Sequence, residues 1–272
     1  CNQGLANLTG YSSEELIGMN GYLLLAPEWR ELATRYIREG YEQPYDAQGL
    51  RKDGSRYDLS VRAQNIPYKG RVVRVSEFRD ISERKQREEQ VRQLALHDTL
   101  TGLPNRRLLH DRLSQSMSAS KRSGCYGAVM FLDLDNFKPL NDTHGHGVGD
   151  LLLVEVAKRL GSCVRGADSV ARFGGDEFVV LLGELKADQK ESMVQALNVA
   201  EKIRAALGAI YRLPVKRADL TESVVEHQCT VSIGVSLFIG HGTSGDDVLR
   251  QADKAMYEAK SAGRNTIRIN TP

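Results

Sequence analysis

Cysteine is scarce and scattered in this chain: Cys1, Cys125, Cys163 and Cys229 form no C-x-x-C pair. That excludes a zinc ribbon or a disulfide framework and predicts free thiols in a reducing compartment. An excess of one charge is missing too. Thirty-seven Lys and Arg against 35 Asp and Glu leave a formal charge of +2, too little for the basic stripe that long nucleic acid requires. No apolar run approaches the about 20 residues needed to span a bilayer, and no charged-then-apolar leader opens the sequence. The segment is therefore expected to be soluble and cytoplasmic without membrane contact of its own, and an anchor upstream of Cys1 is left open. Fixed-period repeats and low-complexity tracts are absent as well. What remains is 272 residues, 41% hydrophobic and 26% charged, a balance and length that suit two globular domains.

The first half opens with "NLTGYSSEELIGMN", where Ser12 and Glu15 have capping-box spacing ahead of Leu16 and predict a short helix. "GLRKDGSRYDLSVRAQNIPYKGRVVRVSEFRDI" reads as a strand, an Asp53-Gly54 turn, a second strand, a turn from Pro67 to Gly70 and a third strand. This is a small antiparallel sheet with helices on one side. "SERKQREEQVRQ", from Ser82 to Gln93, is charged and free of Gly and Pro, so it predicts an exposed helix. Ile81, Val91 and Ala95 lie near one heptad seam with Arg84 and Glu88 between them, which leaves a solvated linker and a weakly specified coiled coil both open.

From about His97 the pattern changes to apolar strands interleaved with amphipathic segments. The strands are "GAVMFLDLD", "SVARF", "EFVVLLG", "CTVSIGVSLF" and an edge strand "NTIRI". Helices are expected from about Asp150 to Val164, across Gln189 to Leu207 and around Asp246 to Ala262. Such alternation implies an α/β arrangement, a mixed sheet surrounded by helices.

Two places interrupt the apolar pattern with carboxylates. In "FLDLDNFKPLND" a strand delivers Asp133 and Asp135 at its carboxyl end, on one face if the strand persists. Ionised carboxylates there are hard oxygen ligands suited to Mg²⁺. Lys138 supplies a point charge, and Pro139 falls in the first turn of a short helix whose free N–H groups can meet an anion. In "VARFGGDEFVVLL", Gly174 and Gly175 permit a tight hairpin turn with positive φ that presents Asp176 and Glu177. Two carboxylate pairs and a lysine suit two divalent cations and in-line attack on phosphorus, whereas each pair alone is also an ordinary strand end or polar turn. His144 and His146 do not make a metal site, since no cysteine or third histidine lies nearby. Gly145, Gly147 and Gly149 are expected to form a compact loop leading Asp150 into its helix.

Over residues 95 to 270 the sequence resembles the GGDEF family of diguanylate cyclases, through "HDTLTGLPNRR", "DLDNFKPLND", "GHGVGD", "GGDEF", "VSIGVS" and "ADKAMYEAKSAGRN". The resemblance implies a palm-like fold and the joining of two GTP into cyclic di-GMP with loss of pyrophosphate, with two Mg²⁺, or Mn²⁺, per active site. It further implies that Asp133, Asp176 and the carbonyl of Leu134 hold the metals with Glu177 beside them, and that Asp176 or Glu177, with Asp176 favoured, is the base. Asn141 and Asp150 match the guanine contacts, and a carboxylate that accepts from guanine N1–H and N2 finds no such donor pair on adenine. Leu100 and Leu153 match the lining of the base pocket. Lys138, Lys260, Arg264 and the main chain around Asn136 and Phe137 match the phosphate contacts, with Lys260 and Arg264 on one face if the last helix continues. Arg165 and Asp168 match an inhibitory product site. Lys202 stands where Arg is frequent, and lysine lacks the bidentate fork, so weaker feedback is expected.

The first half resembles a PAS sensor domain with trailing PAC strands, through "ANLTGYSSEELIG", "LRKDGSRYDLSV" and "FRDISERK". Together the two resemblances imply a PAS domain at 1–81 whose opening strands are missing, a linker helix at 82–96, a GGDEF domain at 97–272, and a homodimer in which each GGDEF domain holds one GTP. Its PAS ligand is undetermined, but His97 is the first histidine, so histidine-ligated haem is excluded there. Two other readings stay open: a silent GGDEF receptor for cyclic di-GMP, and a PAS-driven dimerisation scaffold.

Overall fold

The structure is a computed structural model that describes residues 1–216, 222–240 and 242–270. It divides into two compact units, Cys1–Arg92 and Gln93–Pro272.

The first unit begins with α1 (Gln3–Thr9), capped by Asn2, and α2 (Ser13–Leu16). Ser12 and Glu15 form the reciprocal capping box expected of them. A 3₁₀ turn (Gly21–Leu24) and α3 (Pro27–Glu39) follow, α3 starting on proline and ending at Gly40 with φ 66°. Then come the strands β1 (Tyr45–Leu50), β2 (Arg56–Tyr68) and β3 (Arg71–Asp80), antiparallel in the order β1-β2-β3. Tyr57, Leu59, Val61 and Ala63 alternate inward along β2, and Leu59 and Val61 pack with Leu25, Ala33 and Ala47 into this unit's core. The second hairpin is tighter than expected. Pro67 and Tyr68 stay paired in β2, and Lys69 and Gly70, both at positive φ, make a two-residue turn.

Helix α4 (Ser82–Leu96) has no buried residue. Lys85 pairs with Asp58 at 3.0 Å, while Arg84–Glu88 and Arg87–Glu83 pair along the helix itself. Ile81, expected near a heptad seam, is instead buried in the first unit; Val91 and Leu94 remain exposed.

The second unit is built on a five-stranded mixed sheet in the order β10-β9-β4-β6-β5. Its strands are β4 (Gly127–Leu134), β5 (Ser169–Gly174), β6 (Glu177–Leu182), β9 (Val231–Phe238) and β10 (Ile267–Asn270), the last parallel to β9 and at the edge. β4 is buried at every position because both faces are covered. Met130, Leu132 and Leu134 meet α7 (His146–Cys163) and α8 (Gln189–Leu207). Val129 and Phe131 meet α5 (Arg106–Ser123) and α9 (Gly245–Ser261) on the other face. α6 (Phe137–His144) links β4 to α7, and a hairpin of β7 (Tyr211–Lys216) and β8 (Glu222–His227) forms a separate two-stranded sheet. Small residues on β9 let α9 approach closely. A Cβ built on Gly234 would stand 2.0 Å from the Ala252 carbonyl oxygen and 2.2 Å from Met256 N.

Candidate active site

The site starts where β4 ends. Asp133 faces the α9 side, directly across from Glu177 of β6 and Ser232 of β9. Asp133 is 6% exposed, and its carboxylate takes the Lys260 ammonium of α9 at 2.6 Å. Burial pushes the Asp133 carboxyl up from its ordinary value, Lys260 opposes this, and Asp176 and Asp135 add to the rise. Glu177 is raised too, by burial first and then by the charges of Asp133, Asp253 and Asp176. Carboxylates that raise one another in this way favour a cation among them, and their oxygens are donors of the kind a hard divalent ion takes. Lys260 is the cation that stands there. Among the described residues, no three or more His, Cys, Asp or Glu side chains are grouped so as to hold a metal by themselves.

Asp135 does not share the role expected of it. The strand stops at Leu134, and Asp135 accepts from Thr230 Oγ1 (2.6 Å), Ser232 Oγ (2.7 Å) and the Asn265 N–H (3.0 Å). With both oxygens engaged it is a structural carboxylate that anchors the start of β9 and the approach to β10.

Gly174, Gly175, Asp176 and Glu177 make the turn between β5 and β6, with Gly175 at φ 50° and Gly174 outside the left-handed region. The Leu134 N–H donates to the Asp176 carbonyl at 3.3 Å, joining this turn to the end of β4. Arg172 holds the turn from below: Nε and Nη2 donate to the Gly175 carbonyl at 2.9 and 2.7 Å, and Nη1 reaches both oxygens of Asp98 at 3.1 Å. Burial works against the Asp98 charge, but bonds from Thr101 and Arg172 outweigh it and hold its carboxyl below the usual range. Sequence reasoning assigned neither Arg172 nor Asp98 a role. The signal was a charged residue inside the apolar run "SVARF", at a position where alternation calls for burial.

The residues expected to meet a nucleotide gather around α6 and α7. Asn136 sits at the N-cap of α6 in the left-handed region without a side-chain cap. Phe137 and Leu100 are half-buried, Leu153 is buried, and Lys138 and Asp150 are exposed. α7 starts at His146, not at Asp150, so Gly147 and Gly149 are helical rather than part of a loop. Asn141 Oδ1 is sealed from solvent without a hydrogen-bond partner. Lys260 and Arg264 do not share a helical face: α9 ends at Ser261, and Gly263, Arg264 and Asn265 all take positive φ. The chain turns there because β10 must return parallel to β9.

Elsewhere, the Asp168 carboxylate accepts the Arg165 main-chain N–H at 3.0 Å, leaving the Arg165 guanidinium exposed. Lys202 donates to the carbonyls of Cys163 (3.0 Å) and Ser162 (3.3 Å), so it caps the C-terminus of α7. His144 and His146 are both exposed. All four cysteines are free.

The family model for "Diguanylate cyclase, GGDEF domain" matches residues 95–266. The chain belongs to the GGDEF diguanylate cyclase family. Residues 1–83 match the PAS domain model, so this GGDEF protein carries a PAS sensor domain ahead of its cyclase domain. Curated relatives include the bifunctional diguanylate cyclase/cyclic di-GMP phosphodiesterase MucR of Pseudomonas aeruginosa, 43% identical over 175 residues, which are 64% of this chain and 23% of MucR. The response regulator PleD of Caulobacter vibrioides is 37% identical over 176 residues, 64% of this chain and 36% of PleD. The GGDEF chain thus spans less than two fifths of either relative. Among solved structures, the coiled coil and GGDEF domain of DgcB from Caulobacter crescentus in complex with c-di-GMP aligns with TM-score 0.59 and 30% identity, covering 70% of this chain and 93% of that one. Among the described residues of the GGDEF chain, no helix is long and apolar enough to cross a membrane.

Proposed function

We propose that this chain condenses two GTP into cyclic di-GMP and releases pyrophosphate, each cyclase domain of a homodimer holding one GTP. The observation that carries the reading is the buried Asp133, set across the sheet from Glu177 and held by Lys260. Asp133, Asp176 and the Leu134 carbonyl would hold Mg²⁺, or Mn²⁺, which supplies Lewis-acid stabilisation of phosphate charge. Glu177 lies beside them, and Asp176 is the favoured base for the attacking 3′-hydroxyl. The first N–H groups of α6, lacking a side-chain cap, suit a phosphate at Asn136 and Phe137. Lys138, Lys260 and Arg264 add positive charge there. Asn141 and Asp150 read the guanine edge over Leu100 and Leu153, and Gly174 and Gly175 allow close approach of the backbone.

Facing two domains turns a reaction of two nucleotides into one of a single assembly, so dimerisation belongs to catalysis. The PAS domain (1–81) is the input, the helix over 82–96 sets dimer geometry, and 97–272 is the output. Product binds back at Arg165 and Asp168. Because Lys202 is engaged in capping α7, feedback through it is weak. Incubation of the dimeric protein with GTP and Mg²⁺, followed by chromatography, is expected to yield cyclic di-GMP, and Asp176→Ala to abolish it. No product from a dimeric sample refutes the reading. Product titrated against initial rate tests the feedback, which an unchanged rate at high product would exclude.

A further inference from the structure

We propose that Gly149 is a specificity-determining positioning residue, whose missing side chain leaves the notch that fixes the Asn141 amide at the guanine edge. The inference rests on the reading of Asn141 as a guanine contact.

Gly149 is buried on α7, with a backbone that any residue can adopt. Glycine inside a helix is less favourable than alanine by about 1 kcal/mol, so conformation does not explain it. Space does. A Cβ on Gly149 would stand 1.9 Å from Asn141 Oδ1, 2.9 Å from Asn141 Cγ and 3.1 Å from Phe137 Cζ. Gly147, two residues earlier on the same helix, has nothing within 4 Å of its own Cβ position.

Asn141 Oδ1 has no hydrogen-bond partner, so no polar bond to that atom holds the amide. The backbone is anchored, because the Gly145 N–H donates to the Asn141 carbonyl at 2.8 Å. The amide itself is located by shape, with its Oδ1 end seated against Gly149. A methyl group at position 149 meets the far end of a flexible side chain. α7 can therefore stay in place while the amide swings out, which separates folding from recognition.

The test is a double-mutant cycle in the full chain, with KM and kcat for GTP and melting temperature measured for the parent, Gly149→Ala, Asn141→Ala, the double variant and Gly147→Ala. Loss of one hydrogen bond to substrate corresponds to about a tenfold change. Gly149→Ala and Asn141→Ala are each expected to raise KM for GTP about tenfold, carried by KM rather than kcat. The double variant is expected to show about tenfold again, because the added methyl fills space that the truncated side chain has vacated. Gly147→Ala keeps the parent's KM. Parental KM in Gly149→Ala, or an increase of about a hundredfold in the double variant, overturns the proposal. If Gly149→Ala melts early, the double variant must restore the melting temperature; failure to do so locates the clash elsewhere and also overturns it. A parent that makes no cyclic dinucleotide removes the GTP reading itself, whereas an active parent with an unaffected Gly149→Ala removes only the role of Gly149.

Discussion

Replacing Gly234 with alanine is expected to uncouple Lys260 from Asp133 by pushing on the helix that carries it. The added Cβ would meet the Ala252 carbonyl oxygen at 2.0 Å and Met256 N at 2.2 Å, both backbone atoms of α9. Neither can rotate away. Ordinary van der Waals contact begins near 3.4 Å, so the helix must back off by 3.4 − 2.0, about 1.4 Å. Applied to Lys260, the same displacement stretches its 2.6 Å contact with Asp133 to about 4 Å, the limit of an ion pair. Overpacking of this kind costs about 1–3 kcal/mol. For a unit of this size that lowers the melting temperature by about 3–10 °C. Differential scanning calorimetry of parent and Gly234→Ala, with cyclase rates at temperatures where both are folded, checks both effects. A variant that melts with the parent and keeps its rate shows that α9 does not rest on Gly234, and refutes the reasoning.

Arg172→Ala removes the donors that tie Asp98 to the Gly175 carbonyl and leaves a mostly buried carboxylate; a loss of about 2–3 kcal/mol in urea unfolding is expected, with Arg172→Lys recovering part of it. Asp135→Ala strands the donors of Thr230, Ser232 and Asn265 and is expected to destabilise by about 3 kcal/mol in the same assay; a loss below 1 kcal/mol would show the donors to be satisfied without it. Glu177 has a raised pKa, so between its unfolded value near 4.3 and the native one the folded state binds more protons than the unfolded chain. Stability then falls as pH rises through that window. Glu177→Gln is expected to flatten this dependence and to melt above the parent at neutral pH, which calorimetry across pH 4–8 reads; a variant less stable than the parent at pH 7 contradicts it.

The periodic elements were legible in the sequence because alternation and capping are local. α8 appears at its expected bounds, and the Ser12 capping box is formed. Failures occurred where tertiary bonds override local pattern. Nothing around Asp135 announces that donors 95 to 130 residues further on would claim its oxygens. Alternation placed it beside Asp133, and the early end of β4 removed it. The sequence pattern carries a helix on toward Arg264, but α9 stops short of it, since the run through Gly263 and Asn265 must turn the chain into β10. The hairpin β7–β8 and helix α5 went unread: β7 carries a proline, and α5 is polar over most of its length, with its apolar residues confined to one face. The turn at Gly174 and Gly175 is legible in the sequence, although only Gly175 takes the positive φ expected of both; Arg172, which holds that turn, needs three dimensions to be seen.

Asp135 also bears on when the domain can become competent. Its partners lie 95, 97 and 130 residues further along the chain, and β10, which begins two residues after Asn265, closes the edge of the sheet. Pairings so distant in sequence form slowly, because long loops must close before their contacts contribute. During synthesis β4 emerges early, yet the carboxylate two residues from Asp133 lacks its last donor until the chain has been made through Asn265. Assembly of this end of the sheet therefore waits on synthesis of the chain through β10. A chain cut short before Asn265 would carry every residue assigned to GTP chemistry and still lack the bond that locks them in register.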